Sequence, residues 1–152
     1  VACWGMATSH RKIKNYPEAI KQYHDCLDRN PLADVLYLEL AESYRHSGDI
    51  DKAISIYRHA RSMGINDHRF HVGLGELHFK NLDLNDAFRE FSSALLLQPN
   101  NAYAHYQTGL VFRARGDYHS AIPCFEKALL LDPRKPAYQQ QLEEVHLLLG
   151  MN

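Results

Sequence analysis

The chain has 152 residues, of which 45% are hydrophobic and 23% are charged, and these values are ordinary for one folded domain. Its formal net charge of −1 offers no electrostatic footprint for nucleic acid or an anionic membrane, which usually requires a basic stripe or a strongly raised pI. No apolar run approaches the ~20 residues that a bilayer crossing needs. We therefore expect neither nucleic-acid binding nor membrane insertion.

A repeat with a period of 34 residues runs through the chain. Small residues, aromatic residues and a second set of small residues recur at this spacing. The three sets are Ala19, Ala53, Ala87 and Ala121; Tyr23, Tyr57, Phe91 and Phe125; and Cys26, Ala60, Ala94 and Ala128. A fixed period of this length is typical of a solenoid of stacked helical pairs, because one pair cannot bury its apolar face alone.

The first helical pair begins with a helix predicted at residues 1–12. Helical spacing places four of its side chains on the inner face, namely Cys3, Met6, Ala7 and His10. Asn15 is a capping-type residue before the second helix, and Pro17 falls in its first turn, where the missing N–H costs nothing. This helix is predicted to end at residues 30–31.

Three further pairs are predicted, with helices at about 33–47 and 50–62, 68–80 and 84–98, and 101–114 and 118–131. Gly48 suits the left-handed end of a helix, and Gly64 replaces the proline that ends the other repeats. The turn at residues 81–83 lacks a glycine, so we expect a strained or differently shaped turn there. Pro123 lies inside the last of these helices, where it should remove one backbone hydrogen bond and bend the helix slightly.

The final helix, predicted at residues 136–149, repeats the first helix of a pair without its partner. Gln139 and Glu143 stand where the complete repeats place residues that face their own second helix, and burial there would be costly. An apolar stripe toward the preceding helix remains, formed by Tyr138, Leu142, Val145 and Leu149. This pattern predicts a C-terminal cap. At the other end the chain lacks an initiating Met and nothing earlier covers Trp4, so we hypothesise that it is the C-terminal part of a longer array.

The unit resembles the tetratricopeptide repeat (TPR), whose 34-residue pattern combines aromatic, Leu-Gly, Tyr, Ala and Pro positions. The matching residues are Tyr37, Leu40, Ala41, Tyr44, Ala53, Tyr57 and Ala60 in the second repeat, Leu74 and Gly75 in the third, and Gly109, Phe112, Ala121, Phe125, Ala128 and Pro133 in the fourth. Cys3, His71 and His105 replace the usual aromatic residue, and Ile65 replaces the proline. These departures are expected to loosen the packing between first and second helices.

The resemblance implies an all-α, right-handed superhelical solenoid of antiparallel helix pairs. It would form a single domain over residues 1–152, with repeats at about 1–33, 34–67, 68–101 and 102–135 and a capping helix at 136–149. It also implies that the first helices line a concave groove that holds a peptide or an amphipathic helix of another protein. The chain would then be an adaptor or an assembly scaffold, since family members are seldom catalytic.

Helical spacing predicts which side chains line this groove: those at the second, fifth, sixth, ninth, twelfth and thirteenth positions of each first helix. The predicted partner-binding residues are Trp4, Leu38, Glu39, Glu42, Arg45, Arg69, Val72, Glu76, Phe79, Tyr103, Tyr106, Gln107 and Arg113. Aromatic and charged residues are mixed in this set, which suits an amphipathic or extended peptide. The alternative for Glu42 and Arg45 is that they merely pair with each other on a solvated helix face.

Two specialised binding modes of the family do not fit. The clamp for a chaperone C-terminal carboxylate uses two Lys, two Asn and one Arg, and its positions hold Trp4, Thr8, Glu39, Arg69 and Gly73, of which only Arg69 is chemically suitable. Glu39 and Glu42 would repel a carboxylate. The Asn ladder of some sugar-transferase and peroxisomal receptor members is also missing. We therefore do not expect a chaperone C-terminal tail as the partner.

The histidines invite a metal-site hypothesis. Against it, His10, His78 and His146 share one repeat position with the aromatic residues Tyr44 and Phe112, so they are interpreted as substitutes for a packed ring. The sequence contains no Cys-x-x-Cys, no His-Glu-x-x-His, no nucleophile elbow and no glycine-rich phosphate loop. We predict no metal, no cofactor and no enzymatic activity.

The cysteines bear on the compartment. Their number is odd, and Cys26 stands where the other repeats hold alanine, so we interpret it as a small packed thiol and not as half of a disulfide. This interpretation favours a reducing compartment and a cytoplasmic location.

A second functional hypothesis is that of a structural subunit. Apolar surface near the ends of the array, at Trp4, Leu147 and Leu148, would then join the chain to other copies as a homo-oligomer.

Overall fold

The computed structural model describes the backbone of residues 2–150 and the side chains of residues 4–150. This part of the chain is helical and contains no strand, and each predicted helix is present close to its predicted bounds. The helices are α1 (Ala2–Lys12), α2 (Tyr16–Arg29), α3 (Asp34–Ser47), α4 (Ile50–Ser62), α5 (His68–Lys80), α6 (Leu84–Leu97), α7 (Ala102–Ala114), α8 (Tyr118–Leu131) and α9 (Pro136–Leu148). None of these helices combines the length and the apolar character that a membrane span requires.

The chain folds into two compact units. Unit 1 is Val1–Asn66 and contains α1 to α4, and unit 2 is Asp67–Asn152 and contains α5 to α9. Within each unit, every helix packs against the next one in the chain. The division lies one residue before the expected boundary between the second and third repeats, at 67/68.

The periodic residues fill the core of each unit. The alanine and aromatic positions identified by the period are at most 2% exposed: Ala19, Tyr23, Ala53, Tyr57 and Ala60 in unit 1, and Ala87, Phe91, Ala94, Ala121, Phe125 and Ala128 in unit 2. In unit 2 the aromatic rings lie very close to the preceding helix. A Cβ atom on Gly75 would lie 2.6 Å from Cε1 of Phe91, and one on Gly109 would lie 2.6 Å from Cε1 of Phe125. Glycine is therefore required for this packing.

Backbone conformation ends several helices as expected. Gly48 and Gly64 adopt left-handed φ values of 91° and 84°, which confirms both as helix terminators. Leu82 has a φ of 63°, so the turn without glycine is strained as predicted. Lys14 has a similar φ of 61°, which the sequence analysis did not predict. Asn15 precedes α2 as predicted, but its side chain makes no capping hydrogen bond.

Helix α9 has the predicted features of a cap. Gln139 and Glu143 are exposed, and the Gln139 amide donates a 2.6 Å hydrogen bond to Glu143 Oε1. Val145 is fully buried with Phe125 of α8, and Leu142 and Leu149 pack against the same cluster. The polar side of α9 therefore faces solvent while its apolar side completes the core.

The prediction for Met6 is wrong. Ala7 is fully buried as expected, but Met6 is 56% exposed. The equivalent residue of the next repeat, Leu40, is fully buried because α3 lies against α2, whereas no helix precedes α1 in the described residues. The predicted inner position of Cys3 concerns a side chain outside the described part of the chain.

The interpretation of Cys26 as a free thiol is also wrong. Its position is packed, with 4% exposure, but Cys26 is disulfide-bonded. The cytoplasmic location remains a prediction, but Cys26 no longer supports it. Cys124 is a free, half-buried cysteine, and burial raises the pKa of its thiol to about 11. Cys124 is thus a poor nucleophile at neutral pH.

Candidate partner-binding surface

The predicted groove residues fall on two surfaces formed by first helices. The unit 1 face lies on α1 and α3 and comprises Trp4, Leu38, Glu39, Glu42 and Arg45. The unit 2 face lies on α5 and α7, next to α9, and comprises Arg69, Val72, Glu76, Phe79, Tyr103, Tyr106, Gln107 and Arg113.

Glu39 is the centre of a network that joins α1, α2 and α3. Arg11 Nε lies 2.7 Å from Glu39 Oε2, and the Tyr23 hydroxyl donates to the same oxygen at 3.3 Å. Thr8 Oγ1 lies 3.4 Å from that hydroxyl. Burial raises the pKa of Tyr23 above 10.0, so its hydroxyl remains a donor at neutral pH. The Glu39 carboxylate is therefore both oriented and charge-compensated.

Glu42 is held in a similar way one turn further along α3. Arg45 approaches Glu42 Oε2 through Nη2 at 2.5 Å and Nε at 3.1 Å, and His46 Nε2 lies 3.6 Å from the same oxygen. The Tyr57 hydroxyl donates to Glu42 Oε1 at 3.4 Å. The pairing between Glu42 and Arg45, which was the alternative interpretation, is therefore present in the structure.

Trp4 is the exposed aromatic residue of the unit 1 face, with 47% of its surface accessible. The Thr8 hydroxyl donates to the Trp4 carbonyl at 2.8 Å, which keeps Thr8 engaged with the helix backbone. Leu38 is half-buried on α3. The free apolar surface on this face is consequently concentrated at Trp4.

The centre of the unit 2 face is a cluster of Glu76, Tyr103 and Gln107. The Tyr103 hydroxyl donates to Glu76 Oε1. Gln107 Nε2 lies 2.6 Å from the Tyr103 hydroxyl and 3.4 Å from Glu76 Oε1. Gln107 is 8% exposed, whereas Tyr103 is 42% exposed. The cluster thus presents a tyrosine ring and a carboxylate next to the buried Gln107 side chain.

Tyr106, Phe79 and Val72 are less available on this face than their spacing suggests. The Tyr106 ring packs at a tilt of 37° against Tyr138 of α9, with a centroid distance of 4.8 Å, and lies 5.9 Å from Phe125. Burial raises the pKa of Tyr106. Phe79 packs against the core cluster of Ala87, Phe91 and Val111, and Val72 is half-buried. Tyr106 and Phe79 therefore contribute mainly to packing.

Both arginines of the unit 2 face are committed to acidic or amide partners. Arg69 folds back on Asp67, with Nη2 2.7 Å from Asp67 Oδ2 and Nε 3.0 Å from Oδ1. This contact holds the pKa of Asp67 below 3.8. Arg113 Nη2 lies 3.0 Å from Glu144 Oε2, and Nη1 donates to Gln141. Each guanidinium therefore already has a polar partner within the protein.

Residues on other helices support these faces and were not predicted from the sequence. Tyr23 and Tyr57 belong to second helices, yet their hydroxyls reach the carboxylates of the unit 1 face. The signal was the choice of tyrosine at these positions where unit 2 has phenylalanine, combined with glutamates on the facing helix. Gln141 and Glu144 of α9 were not predicted, because α9 was interpreted only as a helix that covers the end of the core.

No cluster of metal-ligating side chains occurs within the described residues. A surface depression of about 590 Å³ lies in unit 2 between the α5–α6 turn and Arg115, and it contains none of the predicted groove residues. Arg115 closes one side by donating to Asn85 Oδ1 at 2.7 Å.

Comparison with known proteins identifies the repeat. Models of the tetratricopeptide repeat match residues 5–68 and 102–135. The BBSome complex member BBS4 of Bos taurus is 27% identical over 120 residues, which is 79% of this chain and 23% of that protein. The chain therefore spans less than a quarter of the length of this relative.

Solved structures agree with this fold. The crystal structure of MamA superposes with a TM-score of 0.84 at 22% identity and covers 95% of this chain and 85% of that one. YrrB, described as a TPR protein with an unusual peptide-binding site, gives a TM-score of 0.77 at 16% identity over 100% of this chain and 78% of that chain. The prediction of an all-α solenoid of helix pairs is confirmed.

Proposed function

Because this chain belongs to the tetratricopeptide repeat family, we propose that it binds a peptide or helix of a partner protein on its first-helix faces, as an adaptor or assembly scaffold. The family and the similarity to a member of the BBSome complex support a role in protein interaction. Catalysis, nucleic-acid binding and recognition of chaperone C-terminal tails are not part of the proposal.

The observation that carries the proposal is the organisation of the polar groups on the two faces. Glu39, Glu42 and Glu76 are each bonded to a tyrosine hydroxyl. Tyr103 is 42% exposed beside Glu76, and Trp4 is 47% exposed on α1 of the unit 1 face. Fixed acceptors next to exposed rings are a preorganised surface, and preorganisation lowers the entropy lost on binding. Exposed aromatic residues of this kind are frequent anchors in protein interfaces.

The test is capture of partners from the native source by wild type and by Tyr103→Ala. Tyr103 is preferable to Tyr106, because Tyr106 packs against Phe125 and Tyr138 and its truncation would disturb the core. The matched control is Leu130→Ala, which removes an exposed apolar side chain from α8, a second helix. We expect Tyr103→Ala to lose a specific partner that Leu130→Ala retains, with circular dichroism unchanged in both. Equal retention by all three proteins would contradict binding on the unit 2 face.

Self-association is the second candidate function. Leu147 and Leu148 at the end of α9 are 68% and 55% exposed, and neighbouring exposed leucines are a common feature of interfaces. Light scattering over a range of concentrations tests this candidate. A dimer that forms with increasing concentration and is lost in Leu148→Glu would support it, and a strict monomer would exclude it.

That the whole chain forms one domain also remains a proposal. Thermal unfolding of the two units, expressed separately and together, would show whether they fold as one cooperative body.

A further inference from the structure

Glu76 differs from the other carboxylates of the two faces in the charge of its partners. Its hydrogen bonds come from the Tyr103 hydroxyl and the Gln107 amide, and both donors are neutral. Glu39 and Glu42 are each paired with an arginine, Arg11 and Arg45. The unit 1 carboxylates are therefore compensated by cations, and the Glu76 carboxylate is not.

The neighbouring cations do not supply the missing charge. Arg69 is bound to Asp67 and Arg113 to Glu144. Lys80 lies one turn beyond Glu76 on α5, but it is exposed and forms no ion pair with Glu76 among the described side chains of residues 4–150. The centre of the unit 2 face thus carries one uncompensated negative charge.

The Glu76 carboxylate has a second oxygen, Oε2, to which neither of these two donors bonds. Both neutral donors bond to Oε1, while an ionised carboxylate accepts hydrogen bonds at both oxygens. The Tyr103 ring stands next to it, lies 6.3 Å from the Tyr106 ring and is 42% exposed, and the exposed part of an aromatic ring can stabilise a cation. A carboxylate beside an aromatic ring is a combination that attracts an ammonium or guanidinium group.

We propose that the unit 2 face binds a basic segment of a partner protein, with one lysine or arginine paired to Glu76 and lying against the Tyr103 ring. This inference rests on the proposed function, because it names the chemistry of the partner for the same surface. Charge complementarity of this kind sets specificity and excludes acidic partners.

The probe is a phage-displayed library of short random peptides, selected on the immobilised whole chain. Recovered peptides are synthesised and their affinities are measured on wild type, Tyr103→Ala, Glu76→Gln and Glu126→Gln. Glu76→Gln removes the charge but keeps an oxygen that accepts from Tyr103. Glu126→Gln is the matched control, since it changes the net charge equally at an exposed position of α8.

We expect the recovered peptides to be enriched in lysine or arginine at one position and to lose binding to Tyr103→Ala. Replacement of that lysine by norleucine should weaken binding to wild type about tenfold, and it should weaken binding to Glu76→Gln by a smaller factor, because only the contact with the Tyr103 ring is then lost. Glu76→Gln itself should weaken the basic peptide about tenfold, and Glu126→Gln should bind it like wild type.

Two contrary results are distinguishable. Peptides that require Tyr103 but show no basic preference, or that are insensitive to Glu76→Gln, would overturn the assignment of a basic partner and leave groove binding intact. Recovery of no peptide, or of peptides that bind Tyr103→Ala as well as wild type, would overturn binding on the unit 2 face and this inference with it.

Discussion

The two units pack their first helices against their second helices with different pairs of residues. In unit 1 the position that faces the second helix is alanine, at Ala7 and Ala41, and the aromatic residues are Tyr23 and Tyr57. In unit 2 the corresponding residues are the glycines Gly75 and Gly109 and the phenylalanines Phe91 and Phe125. The phenylalanine rings occupy the space that a Cβ atom on the glycines would need.

This difference shows how one core position also shapes the binding surface. The hydroxyls of Tyr23 and Tyr57 extend from the core to Glu39 and Glu42, so second helices help to organise the unit 1 face. Phenylalanine has no hydroxyl, and the Glu76 cluster of unit 2 is built from first helices alone. Unit 1 couples its core to its face through hydrogen bonds, and unit 2 packs its core more closely.

The largest expected effect is that of Gly109→Ala, which would break the close packing of unit 2. Alanine is normally the better helix former by about 1 kcal/mol, so this change should stabilise an open helix. Here the new Cβ atom would lie 2.6 Å from the buried Phe125 ring, and we expect a net loss of about 2 kcal/mol of unfolding free energy because the ring must move. Urea denaturation followed by circular dichroism measures it.

The control is the reverse change in unit 1, Ala41→Gly. It should also destabilise, by about 1 to 2 kcal/mol, through the backbone entropy of glycine and the loss of one buried methyl group. A Gly109→Ala variant that is as stable as wild type, or more stable, would show that the rings of the two units are not held differently.

A smaller effect is expected for Tyr23→Phe, which makes a unit 1 position resemble unit 2. The ring packing is retained, but Glu39 loses a hydrogen bond of 3.3 Å from a buried hydroxyl. We expect a loss of about 0.5 to 1.5 kcal/mol of unfolding free energy. Hydrogen bonds to charged groups usually contribute more, but the donor–acceptor distance here is long. Thermal unfolding measures the change. Unchanged stability of Tyr23→Phe would contradict a stabilising role of this hydrogen bond.

The smallest effect concerns Asp67, at the start of unit 2. The side-chain contact with Arg69 lowers the pKa of Asp67 in the folded state, so this carboxylate stabilises the fold above its unfolded pKa, and the contribution disappears as the pH falls through the folded pKa. Asp67→Asn should therefore be less stable than wild type near pH 5, by no more than about 1 kcal/mol for a partly exposed pair. The two should converge once the pH has fallen below the folded pKa of Asp67.

Unfolding free energies of wild type and Asp67→Asn, measured across this pH range, test the expectation. Arg69→Gln should remove most of the pH dependence, because the Arg69 side chain is the largest cause of the shift. A constant difference between wild type and Asp67→Asn at every pH would argue that Asp67 acts only as a helix cap through its contact with the Arg69 amide.

Some residues that replace the family pattern show why the sequence alone predicted packing only in part. Tyr37 and His105 share a repeat position, and each bonds to the carbonyl of the preceding proline, Pro31 at 2.9 Å and Pro99 at 2.8 Å. His71 occupies the same position in a repeat without that proline, and its Nδ1 lies 2.7 Å from Glu90 Oε2. The histidines were expected to loosen packing, but each of them has a polar partner.

The sequence by itself determined the helices, their order and their core positions, because these depend on spacing along one chain segment: the 34-residue period, the left-handed glycines and the polar side of α9 are all local signals. Only the tertiary structure decided which groove residues are free. Arg69, Arg113 and Tyr106 have the correct spacing for a binding surface, yet partners on the same or neighbouring elements already engage them. Helical spacing states which way a side chain leaves its own helix, whereas its availability depends on the charges and rings that packing brings within a few ångströms.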